Sequence, residues 1–157
     1  MALRKIRTQE DEVLQKVSRP IVNFDAKLQI LLNDMKDTLA KADGVGLAAV
    51  QIGILRRVVI IDVGDHHGFM ELINPEIIER RGEQREMEGC LSLPGKSGVT
   101  LRPQWVKFKA QDRHGNWYEA EGEGLFARCV CHELDHLDGY VFTQRLAEGE
   151  SVYYSKD

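Results

Sequence analysis

The stretch Leu125-Phe126-Ala127-Arg128-Cys129-Val130-Cys131-His132-Glu133-Leu134-Asp135-His136-Leu137-Asp138-Gly139 decides how this chain is read. Leu125, Phe126, Cys129, Val130, Leu134 and Leu137 spread around most of the circumference of a helix. A helix apolar on nearly all sides is buried. Gly139 is placed to stop it. Inside it stands His132-Glu133-Leu134-Asp135-His136, an HExxH pentad. Each helical residue advances about 100°, so residues four apart lie about 40° from each other. His132 and His136 therefore project from one face, one turn apart, and can grip a single metal ion. Glu133 sits beside them, placed to take a proton from a water on that ion. The plain alternative is two core histidines and a surface glutamate brought together by chance. Against it, both rings enter an interior where an unpaired polar group is costly, and a metal supplies the partner.

Two histidines cannot hold a catalytic ion alone; three protein ligands and one open position are expected. The protease pattern HExxHxxGxxH has its glycine here, Gly139, but Phe142 occupies the ligand position. A glutamate ligand on a following helix would have to be Glu148 or Glu150, in a short polar tail around Gly149. Cysteine thiolate is a stronger candidate for zinc or ferrous iron. Cys129 shares the histidine face but lies seven residues from His136, about 10.5 Å along the axis at about 1.5 Å per residue. It is expected to line the cavity beside the metal, and Cys131, pointing about 100° from His132, to pack in the core. That leaves Cys90, in Glu88-Gly89-Cys90-Leu91-Ser92-Leu93-Pro94. A buried thiol in a strand is the bland reading of Cys90, and the incomplete histidine pair favours the ligand.

Around this centre the chain is of ordinary globular composition. Its 157 residues are 43% hydrophobic and 29% charged, with a net charge of −4, which fits one domain spanning residues 1–157. Scattered lysine and arginine give no nucleic-acid footprint. No apolar run reaches the length of a membrane span. The basic N-terminal residues precede no apolar stretch, so no secretory signal is expected. Three cysteines make a poor disulfide framework and suit reduced thiols in a cytoplasmic protein.

Residues 9–17 read as a short helical turn. From Asp25 to about Ala42, Leu28, Leu31, Leu32, Met35 and Leu39 recur on one helical face, with Asn23 or Asp25 as cap and Gly44 after the end. Arg57–Asp62 is a β-branched buried strand. Phe69–Ile73 and Ile77–Arg80 read as two further strands around Asn74-Pro75. Residues 105–112 and 117–121 alternate about His114-Gly115-Asn116 as a hairpin. The fold class is α+β: mostly antiparallel β-sheets packed around a buried C-terminal helix carrying HExxH, plus an N-terminal amphipathic helix. Gly44-x-Gly46 is a weak match to a dinucleotide loop, since it follows a helix, precedes a strand and lacks the third glycine. Gln51 is the more specific clue, because a side-chain amide near a metal can donate to a developing oxyanion.

Three segments, Gly44-Val45-Gly46-Leu47-Ala48-Ala49-Val50-Gln51, Glu88-Gly89-Cys90-Leu91-Ser92 and His132-Glu133-Leu134-Asp135-His136, resemble in order the signature motifs of the peptide deformylase family. The likeness covers most of the chain, from about Arg19 to Phe142. It implies removal of the formyl group from the N-formylmethionine of newly made polypeptides, releasing formate. It implies one ferrous ion per chain, replaceable by nickel, cobalt or zinc. Cys90, His132 and His136 match the family's ligands, Glu133 its general acid/base, and Gln51 with the backbone N–H of Leu91 its oxyanion donors. Cys131 stands where many members have glutamine. Some relatives carry a longer, basic C-terminal helix credited with ribosome docking. The short tail here does not support that mode, so only a transient ribosome encounter is expected, for a monomer without membrane or direct nucleic-acid partners.

For the methionine side chain, Val45, Leu125 and Cys129 are candidates to line an apolar slot, with core packing the alternative for Leu125. Peptide binding by strand addition along the glycine segment, favoured at Gly46, would read backbone and not sequence. Glu88 and Arg102 form either a buried ion pair bracing the Cys90 loop or a solvated surface pair. Two rival readings remain at this point: a zinc endopeptidase, and a structural zinc module closed by four protein ligands.

Overall fold

A computed structural model describes residues 2–155; Met1, Lys156 and Asp157, which the readings of the two termini touch, lie outside the described residues. The first helix, α1, spans Ala26–Ala42. Asp25 caps it by accepting from the Leu28 N–H at 3.1 Å, satisfying one of the amides a helix start leaves free. Asp43, in the left-handed conformation at φ 55°, ends it. The strands are β1 Gly46–Ala48, β2 Val58–Ile61, β3 Met70–Arg81, β4 Gln84–Gly89, β5 Lys96–Arg102, β6 Trp105–Gln111, β7 Trp117–Glu123 and β8 Tyr153–Tyr154. The second helix, α2, spans Leu125–Leu137. A short helical turn at Glu12–Gln15 agrees with the reading of residues 9–17.

Five strands form one sheet in the order β1-β2-β3-β6-β7, and three form a second in the order β4-β5-β8. Neighbouring strands pair antiparallel throughout. The large sheet is sandwiched between the two helices. Successive side chains of a strand point to opposite faces, and in β2 both faces are covered. Val58 and Ile60 pack with Leu28, Leu32 and Met35 of α1, while Val59 and Ile61 pack with Phe126, Val130 and Leu134 of α2. That is why this strand is an unbroken apolar run.

Two strand readings need correction. Phe69–Ile73 and Ile77–Arg80 are not separate strands: apart from Phe69 they belong to the single strand β3, which shifts register against β6 between Ile73 and Glu76 and again between Ile77 and Glu79. Asn74, at φ 53°, makes the bend tolerable. Its side chain bonds both the N–H and the C=O of Ile21 at 2.9 Å and donates to Gln111 at 2.8 Å, so the strand kinks without losing its partners. The β4–β5 hairpin escapes the sequence pattern, because Arg85, Glu86 and Met87 are consecutively exposed and mask the alternation. Cys90 sits in the turn after β4, between the two strands.

Candidate active site

The buried face of α2 and the turn after β4 meet around one cavity of about 380 Å³. Nine of the ten residues singled out from the sequence line it: Val45, Gly46, Gln51, Cys90, Leu91, Leu125, Cys129, His132 and Glu133. The tenth, His136, lies fully buried behind them, its Nε2 3.3 Å from Cys90 Sγ. One ligand atom each from Cys90, His132 and His136 falls within 4.8 Å of the other two. Phe142, at the position that excluded a third histidine, instead stacks near the His132 ring, with centroids 6.4 Å apart.

Each ring is prepared differently. His132 Nδ1 donates to Glu88 Oε1 at 2.5 Å, which leaves Nε2 as the nitrogen for an ion to take in place of a proton. Such a carboxylate behind a histidine fixes tautomer and orientation in metal sites. Burial pulls the His132 pKa down, yet the charge of Glu133 and the bonds to Cys90 and Glu88 more than reverse this and favour positive charge there. His136 is pushed down to about 3 by burial, aided by the charge of His132 and Arg102, so it is a neutral donor. The orphaned His136 Nδ1 finds no hydrogen-bond partner among the described residues. A thiol, a neutral imidazole and an imidazole ringed by negative charge make a donor set that fits one divalent transition ion.

The carboxylate behind His132 is not visible in the sequence, which links Glu88 only to Arg102. That pair is buried, not solvated: Glu88 is 7% exposed and Arg102 5%. Glu88 accepts from Arg102 at 2.7 and 3.3 Å and from Thr100 Oγ1 at 2.6 Å. Arg102 also reaches Asp135 of α2 at 2.6 Å, and Arg145 holds the same carboxylate at 3.1 and 3.2 Å. Burial alone would raise the Glu88 pKa, but the bonds from His132 and Arg102 bring it down to about 2. The general need of a metal-bound histidine for a partner on its second nitrogen was the available signal.

Glu133 is 4% exposed, and its Oε1 has no partner among the described residues. Burial lifts its carboxyl to about 7, against the lowering pull of His132 and Arg102, which suits a group that must take and return a proton near neutral pH. Gln51 is held by its own turn, accepting from the Ala48 N–H at 2.9 Å. Its amide then donates toward Cys90 Sγ at 3.6 Å and Ser92 Oγ at 3.1 Å. Gly46 lets β1 approach α2: a Cβ there would stand 2.7 Å from Glu133 Oε2 and 2.9 Å from Cys129 Sγ. Burial first, then Glu133, raises the Cys129 pKa well above the usual thiol value, so it walls the cavity as an uncharged thiol. Leu125 is 42% exposed at the cavity rim, which removes the core-packing alternative. Cys131 packs in the core on the other side of α2.

The model of the polypeptide deformylase family matches residues 3–152. The chain belongs to that family. Its relatives include the peptide deformylase of Caldicellulosiruptor bescii, 55% identical over 93% of this chain and 87% of its own length. Peptide deformylase 1 of Bacillus subtilis is 46% identical over 100% of this chain and 96% of its own. Among solved structures, the peptide deformylase of Thermotoga maritima matches with a TM-score of 0.89 at 39% identity, covering 92% of this chain and 98% of that one. The α+β fold with antiparallel sheets agrees with the expectation from sequence. The family removes N-formyl groups from nascent polypeptides and is metal-dependent. No helix among the described residues is long and apolar enough to cross a membrane.

Proposed function

We propose that Cys90, His132 and His136 hold one ferrous ion in a single metallohydrolase domain, with nickel, cobalt or zinc able to take its place, and that the chain works in the cytoplasm as a monomer meeting the ribosome transiently. The convergence of one thiol and two imidazoles within 4.8 Å carries this reading. When bound, such an ion supplies a water whose pKa falls from about 15.7 toward 7.

The residues around it then divide the work. Glu133, whose Oε2 lies 4.0 Å from His132 Nε2, removes the proton of the attacking water and later delivers it to the leaving amine. The formyl oxygen, as it becomes negative, meets the Gln51 amide and the backbone N–H of Leu91; one such donor is worth roughly 2.7–4 kcal/mol. Gln51 is already turned toward Cys90 by its bond from Ala48, so little reorganisation is needed. Val45, Leu125 and Cys129 receive the methionine side chain. β1 is an edge of the large sheet, so its Gly46 segment can add the peptide as a further strand through backbone bonds alone.

Formate release from formyl-Met-Ala by protein purified without oxygen, with metal counted in the same sample, tests the reading. Turnover proportional to ferrous or nickel content and no cleavage of casein is the expected result. A metal-loaded protein that releases no formate overturns it.

A further inference from the structure

The loop between β2 and β3 holds Asp65-His66-His67 on the surface, outside the catalytic cavity. The His67 ring lies flat on Phe126 in the first turn of α2, with centroids 3.7 Å apart and planes at 12°. Gly122 of β7 makes room: a Cβ there would stand 3.0 Å from His67 Cε1 and 2.5 Å from Phe126 Cδ2.

In this position His67 Nε2 lies 2.8 Å from the backbone oxygen of Glu121. A carbonyl only accepts, so Nε2 carries the N–H. In the neutral ring Nδ1 is then a lone pair, and it faces Asp65 Oδ2, another acceptor, at 2.9 Å. Asp65 is not free to turn away, because its Oδ1 accepts the His67 backbone N–H at 2.9 Å. Two acceptors so close need a positive species between or beside them. The His66 ring stands 4.1 Å from the His67 ring, and ligand atoms of all three residues lie within 4.8 Å of one another. A metal-ligating histidine donates its second ring N–H to a carbonyl, carboxylate or water, as His67 Nε2 does to Glu121, which leaves Nδ1 beside Asp65 Oδ2 for the ion.

We propose that Asp65, His66 and His67 form a second, solvent-facing site for a borderline divalent transition ion such as nickel or zinc, distinct from the Cys90–His132–His136 centre. Two imidazoles and a carboxylate suit that class of ion, and water completes its coordination. Through His67 the ion fastens the β2–β3 loop to Phe126, one residue from Leu125 at the rim of the catalytic cavity.

Nickel-loaded holoenzyme dialysed against nickel at neutral pH tests this by counting ions per chain in the parent and in Asp65→Asn and His66→Ala. Both variants keep the His67 and Phe126 rings and the Nε2 contact with Glu121, and neither residue lines the catalytic cavity. The parent should hold one nickel more than either variant at micromolar nickel, and the variants should need at least about tenfold more nickel to gain it. Formate release should match across all three. Occupancy of the first centre cancels in the comparison. Equal nickel content in parent and variants, or no extra ion in the parent at sub-millimolar nickel, overturns the proposal.

Discussion

The two helices flank one sheet and bury very different things. α1 turns Leu28, Leu31, Leu32, Met35 and Leu39 onto the sheet, and its buried Asp34 and Thr38 tie down the backbone N–H groups of Ala2 and Arg4. α2 buries Phe126, Val130 and Leu137, but also His132, Glu133 and His136. An apolar side chain gains about 1.5–3 kcal/mol on full burial, whereas a buried polar group left without a partner costs about 1–3 kcal/mol. α1 therefore stabilises the fold directly. α2 places costly groups inside: β4 and β5 bring Glu88 to His132 and Arg102 to Asp135, while Glu133 Oε1 and His136 Nδ1 keep no partner among the described residues. The contrast separates a scaffold helix from a chemical one.

Four substitutions can break or sharpen that division. The largest effect belongs to Glu133→Ala, expected to lower kcat for formyl-Met-Ala by about 10²–10⁴-fold while metal per chain stays unchanged. Near-normal turnover would remove Glu133 from the chemistry. Glu88→Ala leaves the buried Arg102 only Asp135 and removes the partner of His132; it should cost about 3–5 kcal/mol in urea unfolding, with ion affinity reduced about 10–100-fold by dialysis. Loss of stability without loss of affinity would make Glu88 a structural partner only. In α1, Leu32→Ala removes a fully buried side chain and should cost about 2–5 kcal/mol with kcat of the folded fraction intact. A fall in that kcat would tie α1 to the site. The smallest effect is Asp25→Ala, which loses the α1 cap at about 1 kcal/mol and should leave both metal content and turnover as they were.

Periodicity and spacing reveal α1, β2, the β6–β7 hairpin and α2, because each carries a strong local pattern. The candidate site is equally legible where one helix supplies the residues, since HExxH fixes two rings and a carboxylate by helical geometry alone. Cys90 comes by elimination and from the family resemblance. What stays hidden is long-range. The Glu88–His132 bond spans 44 residues, and nothing near Glu88 announces it. The continuity of β3 is hidden for a related reason. Asn74-Pro75 looks like a break, and only the distant Ile21 and Gln111 show how Asn74 stays bonded within a strand. The β4–β5 hairpin, with its exposed run and glycines, carries too little alternation to declare itself.

The ligands of the proposed centre are split between the turn after β4 and α2, which follows Cys90 by 35 residues or more. A ribosome delivers Cys90 well before the two histidines, and Arg145, which steadies Asp135, later still. A copy still being translated thus has a lone thiol and no cage for a cation. Acquisition of the ion, and with it any turnover, must wait until α2 has been made.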